Sequence, residues 1–324
     1  MLEHGGGVRK AARTFGIPVA EWLDLSTGIN PLPRPPDPVP AECWRRLPEE
    51  DDGLEEAAAA CYGATRLLPL AGSQAAIQLL PRLRPAGRVA VLHPSYAEHA
   101  HAWRMAGHRL ERVTPAGLDA AVEQYDAVVV VNPNNPTGAC FSAARLLAWH
   151  ARLQDRGGWL VVDEAFMDAT PEASLMPALG PPGLIVLRSL GKFYGLAGVR
   201  VGFLLADAPL LERARELLGP WSVSGPARHV ARLALTDRPW QAETRQSLHA
   251  ASLRLATLLD DHHLPPAGGT ALFQWVPGPE AAWWWGHLAR QGILVRRFDD
   301  PPGLRFGLPG APGEWQRLAR ALER

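Results

Sequence analysis

Short apolar runs alternate with helical periodicity through the middle of this chain. "RVAVLHPSY", "DAVVVVNPNNPTGA", "WLVVDEAF", "LIVLRSLGKFYGLAG" and "RVGFLLA" each hold four to six continuous apolar residues and then a Pro-, Asn- or Gly-rich stretch. Between them, "GLEEAAAACYG", closed by Gly63, and "ARLLAWHARLQDRGG" carry the period of an amphipathic helix, and "AGSQAAIQLLPRL" reads as a tight turn opening another. Runs without polar alternation, separated by helices, predict a mostly parallel sheet covered on both faces. Polar residues gather where the strands end, and in open α/β sheets ligands bind outside the carboxyl ends of the strands.

The texture changes at both ends. Residues 1–40 are rich in Gly and Pro, finish in "NPLPRPPDPVP", and predict an N-terminal arm with no regular helix or inner strand in that Pro-rich stretch. After about residue 210, "LLERARELL" and "RQSLHAASLRLATLLDDHHL" are helical, "TALFQWV", "GILVRRF" and "GLRFGL" read as short strands, and "GEWQRLARALER" as a final helix. The expected division is an arm (1–40), a large α/β domain (41–210) and a smaller α+β domain (211–324). The "AAWWWGHLA" cluster fits a helix that packs its aromatics into a core or interface.

Composition narrows the function classes. The chain has 324 residues, 33 of each charge sign and a formal net charge of zero, which gives no polybasic surface for nucleic acid or membrane. Three well-separated cysteines, Cys43, Cys61 and Cys140, imply free thiols in a reducing cytoplasm. The N-terminus lacks the apolar core of a secretory signal, and no apolar run reaches the roughly 18 residues of a membrane span. The histidines of "HAH" (99–101) and "HH" (262–263) have no convincing ligand set, so they are expected to be solvated and no metal is expected.

One residue stands out. Lys192, in "SLGKFYG", is one of only two lysines, the other being Lys10, in a chain with 33 Lys plus Arg. A primary amine can lose its proton and attack a carbonyl carbon; a guanidinium cannot.

Taken together and in order, "AGSQ" (71–74), "NPNNPTG" (132–138), "DEAF" (163–166) and "SLGKFYGLAGVRVG" (189–202) resemble the fold-type I pyridoxal-phosphate enzymes of the aspartate aminotransferase superfamily, nearest its histidinol-phosphate aminotransferase branch. The resemblance covers most of the chain. It implies that Lys192 anchors pyridoxal 5'-phosphate and that Asp163 faces the pyridine nitrogen. It also implies that Asn135 bonds the ring hydroxyl and Tyr96 stacks on the ring. The backbone amides of Gly72 and Ser73, the Ser189 hydroxyl and the Arg200 guanidinium hold the phosphate. Arg305, in "GLRFGL", falls where the superfamily holds the substrate α-carboxylate.

Two positions depart from transaminating relatives: Phe166 stands where "DEAY" has tyrosine, and Leu47 where a "YPD"-type tyrosine reaches the neighbouring subunit. Both point away from transamination. The opening "EHGGGVRKAARTFGIP" and "WLDLSTGINPLP" resemble threonine-phosphate decarboxylases of cobalamin biosynthesis within that branch. This implies decarboxylation of a phosphorylated amino acid, with His4, the "HGG" backbone and Arg296 or Arg297 near the substrate phosphate and Asn30 lining the site. A homodimer is implied by the same resemblance. The alternatives are a histidinol-phosphate or related aminotransferase and a non-catalytic binding protein on this fold.

Overall fold

The structure, a computed structural model, describes residues 2–35 and 37–323. Pro36 in the expected Pro-rich arm and Arg324 at the end of the expected last helix lie outside the described residues. The strands, numbered in chain order, are β1 (Leu23–Leu25), β2 (Leu67–Leu70), β3 (Arg88–Leu92), β4 (Arg109–Val113), β5 (Ala127–Val131) and β6 (Trp159–Asp163). They continue as β7 (Leu184–Ser189), β8 (Gly202–Leu205), β9 (Gly268–Thr270), β10 (Phe273–Pro277), β11 (Ile293–Asp299) and β12 (Pro302–Gly307).

The chain divides into two compact units, Arg34–Asn135 with Cys140–Ala242, and Met1–Pro33 with Pro136–Ala139 and Glu243–Arg324. The expected arm (1–40) and the boundary at 210 do not coincide with these units. The arm residues group with the C-terminal unit because β1 pairs in parallel with β11, Leu23 opposite Ile293. The boundary near 242 falls inside the helix Arg238–Asp261, which hydropathy alone does not mark. The arm also carries a helix, Val8–Phe15, closed by Gly16 at φ 70°. Its Phe15 meets Trp285 of the helix Ala281–Arg290 edge-on at 5.8 Å. That contact gives one tryptophan of "WWW" its place, while Trp284 is buried and Trp283 is exposed and stacked on His287.

The larger unit is a seven-stranded sheet in the order β2-β8-β7-β6-β5-β3-β4. Only β8 runs against the rest, antiparallel to both β2 and β7. Every residue of β5, β7 and β8 is buried, as expected for strands covered on both faces. The helices Ser73–Leu79, Ala97–Met105, Leu118–Gln124, Ala143–Gln154 and Ala208–Leu218 pack around it. Each fully buried side chain such as Ile185 or Leu187 contributes about 1.5–3 kcal/mol of transfer free energy. The edge strand β4, "RLERV", escaped the apolar-run reading because its residues are charged and largely exposed, the usual protection of a sheet edge. In the other unit, β11, β12, β10 and β9 form an antiparallel run.

A buried ionic cluster lies under the carboxyl ends of β6 and β7. Arg188 donates to Glu164 at 2.9 Å and to Asp168, with its guanidinium 4.6 Å from the centre of the Tyr62 ring. Glu164 also accepts from Ser174 Oγ at 2.6 Å and Leu175 N at 2.8 Å, so the loop after β6 is tied down at several points. Burial opposes the Arg188 charge, but the facing Asp168 and Glu164 carboxylates more than offset it and hold its pKa above the ordinary arginine value. Burial pushes the Glu164 carboxyl upward, and the Arg188 charge draws it back only in part.

Removing one partner of a buried ion pair strands the other. Arg188→Met is therefore expected to lose about 3–5 kcal/mol of stability at neutral pH, read by urea unfolding. Without Arg188 the Glu164 pKa rises further. Stability from a group with a raised folded pKa is lost as pH rises through that value, so the defect should shrink on acidification as Glu164 protonates. A defect independent of pH would show that Glu164 does not carry it.

Candidate active site

The reversed strand β8 builds a cradle in the larger unit. Its first residue, Gly202, pairs with Leu70 at the end of β2 on one side and Ser189 at the end of β7 on the other. The turn Ala71–Gly72–Ser73 and the residues around Ser189 therefore emerge beside the segment that enters β8. A side chain at Gly202 would put its Cβ 2.4 Å from Ser73 N, and one at Gly72, where φ is +81°, would put it 2.5 Å from Arg200 Nη2. Gly202 is required because packed backbone fills the place of a Cβ, and Gly72 because its left-handed φ favours glycine. Arg200 itself takes the left-handed conformation, φ 58°, uncommon for a non-glycine residue and a sign of positional demand. Its Nη1 donates to Ala197 O at 3.0 Å. Ser189 Oγ accepts from Gly191 N at 3.3 Å, a bond that does not use the hydroxyl proton. A guanidinium, a hydroxyl and the amides of a helix start form a donor set suited to a phosphate dianion.

Asp163 ends β6, in register with Val131 and Leu187, and is buried. Its Oδ1 accepts from Ala165 N at 3.0 Å and its Oδ2 lies 2.9 Å from His99 Nε2. His99 was expected to be solvated. Instead it is buried on the inner face of the helix Ala97–Met105, while His101 of the same "HAH" is exposed. Helical positions two apart point about 200° from each other, so the pair divides between core and solvent. Tyr96, half-buried at the start of that helix, meets the His99 ring edge-on at 6.2 Å.

The asparagines of "NPNNPTG" divide their work. Asn132 is fully buried and closes its loop, donating to Phe141 O at 3.1 Å and accepting from Phe141 N at 2.8 Å. Asn134 accepts from Ser95 Oγ and donates to Pro94 O, both at 2.8 Å, which binds the "HPSY" loop to the "NPNNP" loop. Asn135 is half-buried next to them. Lys192 is half-buried, with Nζ 5.5 Å from the centre of the buried Phe166 ring.

The other unit holds the remaining candidates. Arg296 and Arg305 face each other across β11 and β12. Arg305 is buried, donates to Ser26 O at 2.7 Å and lies over the Phe273 ring. Arg296 donates to Glu3 O at 2.9 Å and lies over the Phe298 ring. The arm docks on the same loop: Gly6 N donates to Ser26 Oγ at 2.7 Å, and a Cβ at Gly5 would come within 2.3 Å of Ser26 O. His4 is exposed there, and the buried Asn30 caps its own turn by accepting from Leu32 N at 2.9 Å. Arg297 does not join this group. It follows Arg296 on the strand, so its side chain points to the other face, where it pairs with Asp299 and lies over Trp285.

The model of the family "Aminotransferase class I and II" matches residues 47–322. The chain belongs to this family. It is 59% identical to a threonine-phosphate decarboxylase from Pseudomonas aeruginosa, over 99% of this chain and 97% of that one. It is 45% identical to a threonine-phosphate decarboxylase from a Sinorhizobium species, over 100% and 98%. Its fold is similar to the solved histidinol-phosphate aminotransferase of Sinorhizobium meliloti in complex with pyridoxal-5'-phosphate, with a TM-score of 0.83 at 23% identity, over 98% of this chain and 93% of that one.

Within this class I and II aminotransferase fold, sequence reasoning missed His99, Asn132 and Asn134. A signal for His99 lay in the sequence: it follows Tyr96 by three positions, one helical turn, on the face that carries Ala100 and Trp103 inward. His99→Leu removes a partner of the buried Asp163 carboxylate. The expected cost is about 1–3 kcal/mol in urea unfolding of the cofactor-free protein. Unchanged stability would mean that Asp163 does not depend on this contact.

Proposed function

We propose that this chain is a pyridoxal-phosphate-dependent carboxy-lyase that converts L-threonine O-3-phosphate to (R)-1-aminopropan-2-ol O-phosphate and CO2, in the cytoplasm and for cobalamin biosynthesis. The observation that carries this reading is the 59% identity, over nearly the whole chain, to a relative named threonine-phosphate decarboxylase. The residues present fit the cofactor. The cradle of Gly72, Ser73, Ser189 and Arg200 suits its phosphate, and the negative charge of Asp163, anchored by His99, suits its ring nitrogen. Tyr96 and Asn135 are assigned to the ring face and ring hydroxyl, and Lys192 to covalent attachment.

When bound, pyridoxal phosphate supplies an electron sink for the pair left on Cα when a bond to that carbon breaks. The chain's own residues decide which bond that is. The Cα–carboxylate bond must stand perpendicular to the conjugated plane, and binding energy from remote groups sets that torsion. Arg305 is assigned to the substrate carboxylate, with Arg296, His4 and the Gly5–Gly6 backbone on its phosphate and Asn30 lining the site. Guanidinium groups match both anions. Arg297, on the opposite strand face, has no place in this assignment. After CO2 leaves, Lys192 Nζ can deliver the proton that Cα needs. Phe166 offers no hydroxyl beside that amine, consistent with a reaction other than transamination.

We further infer a homodimer. The larger unit exposes Trp44, Leu47, Leu217 and Trp221, and the backbone of Cys43 packs against Gly225, bringing the two segments together. Sedimentation over a concentration series tests the pairing; a monomer throughout would rule it out.

Incubation with threonine phosphate is expected to release CO2 without a keto acid. Glutamate formation from histidinol phosphate and 2-oxoglutarate, with no CO2 from threonine phosphate, would establish the aminotransferase alternative. Lys192→Arg keeps the charge but loses the primary amine. Its kcat is expected to fall more than about 10⁴-fold, beyond the loss of a proton donor alone. A purified protein that retains no cofactor absorption band once added pyridoxal phosphate has been dialysed away would leave only a non-catalytic role.

A further inference from the structure

Gln74 is the second residue of the helix Ser73–Leu79, directly after the phosphate cradle, and is half-buried. Its Oε1 accepts from Tyr96 O–H at 3.2 Å, and its Nε2 donates to Glu98 Oε2 at 2.9 Å. The Glu98 carboxylate, when ionised, can only accept, so it fixes which end of the Gln74 amide faces Tyr96. Tyr96 precedes the helix Ala97–Met105, and the two helices pack together. One amide thus links the turn at Gly72–Ser73 to the tyrosine on the neighbouring helix start. A tyrosine in a loop can swing about its χ1 torsion, and a hydrogen bond to its distal oxygen restrains that swing.

We propose that Gln74 is a positioning residue for the bound cofactor, holding the Tyr96 ring at a fixed angle through its hydroxyl so that the phosphate cradle and the stacking face form one rigid receptor. This rests on the assignment of Tyr96 to the cofactor ring. Gln74 acts through Tyr96 alone, and Glu98 serves to orient Gln74. The mechanism requires that the effect of Gln74 vanish when the Tyr96 hydroxyl is absent.

The test is a double-mutant cycle read as the dissociation constant of pyridoxal phosphate, with the visible circular dichroism of the bound group as a second readout. Gln74→Leu and Tyr96→Phe should each weaken binding about three- to tenfold, the worth of one neutral hydrogen bond, and reduce the dichroic band. The double variant should be no weaker than Tyr96→Phe. Additive losses, or no loss in Gln74→Leu, would overturn the proposal. Gln74→Met, of closer length, replaces Gln74→Leu if the latter melts early. Tyr96→Ala separates the two levels. If it binds the cofactor like the parent, the assignment of Tyr96 itself fails. If it binds more weakly while the cycle is additive, the assignment stands and the role of Gln74 falls.

Discussion

One reversed strand organises the candidate site. In a wholly parallel sheet, the residues before a strand lie at the opposite edge from the residues after its neighbours. Because β8 runs against β2 and β7, its entry segment, with Arg200, arrives where those two strands leave, with Gly72–Ser73 and Ser189. Gly72–Ser73 thus becomes a neighbour of Ser189 and Arg200, more than a hundred residues further along the chain, at one end of the sheet. This convergence leaves no room for a Cβ at 202, and the turn at 72 has the positive φ that favours glycine.

The same edge carries costs that the surrounding structure offsets. Asp163 is a buried carboxylate, tolerable because Ala165 N and His99 share its oxygens. The loop after it is held by Arg188 through Glu164 and Asp168. The loops after β3 and β5 are joined by Asn134 and Ser95. These bonds tie the loops around Asp163 to their neighbours, and polar groups held in place act most strongly on reacting atoms.

The fold was largely legible in the sequence where burial made it so. The apolar runs of β3 and β5 to β8 are fully covered strands, and such strands need no alternation. Lys192 stood out because the chain writes nearly every other positive charge as arginine. What stayed hidden depends on long-range contacts. The arm "GVRKAARTFG" reads as a tail until Phe15 meets Trp285 and β1 meets β11. "HAH" reads as surface until Asp163 is placed beside His99. Arg296 and Arg297 are indistinguishable in sequence, and strand alternation separates them once the register with Arg305 is known. Gln74 carries no motif; only the packing of two helix starts gives it a partner.

The scarcity of lysine has a practical side. Lys10, with its side chain 77% exposed, sits on the arm helix, whereas Lys192 is half-buried beside Phe166. Their contrasting exposure makes the pair a built-in control for amine-selective labelling. A reagent in solution meets Lys10 freely, and modification at Lys192 then becomes a gauge of how open its surroundings are.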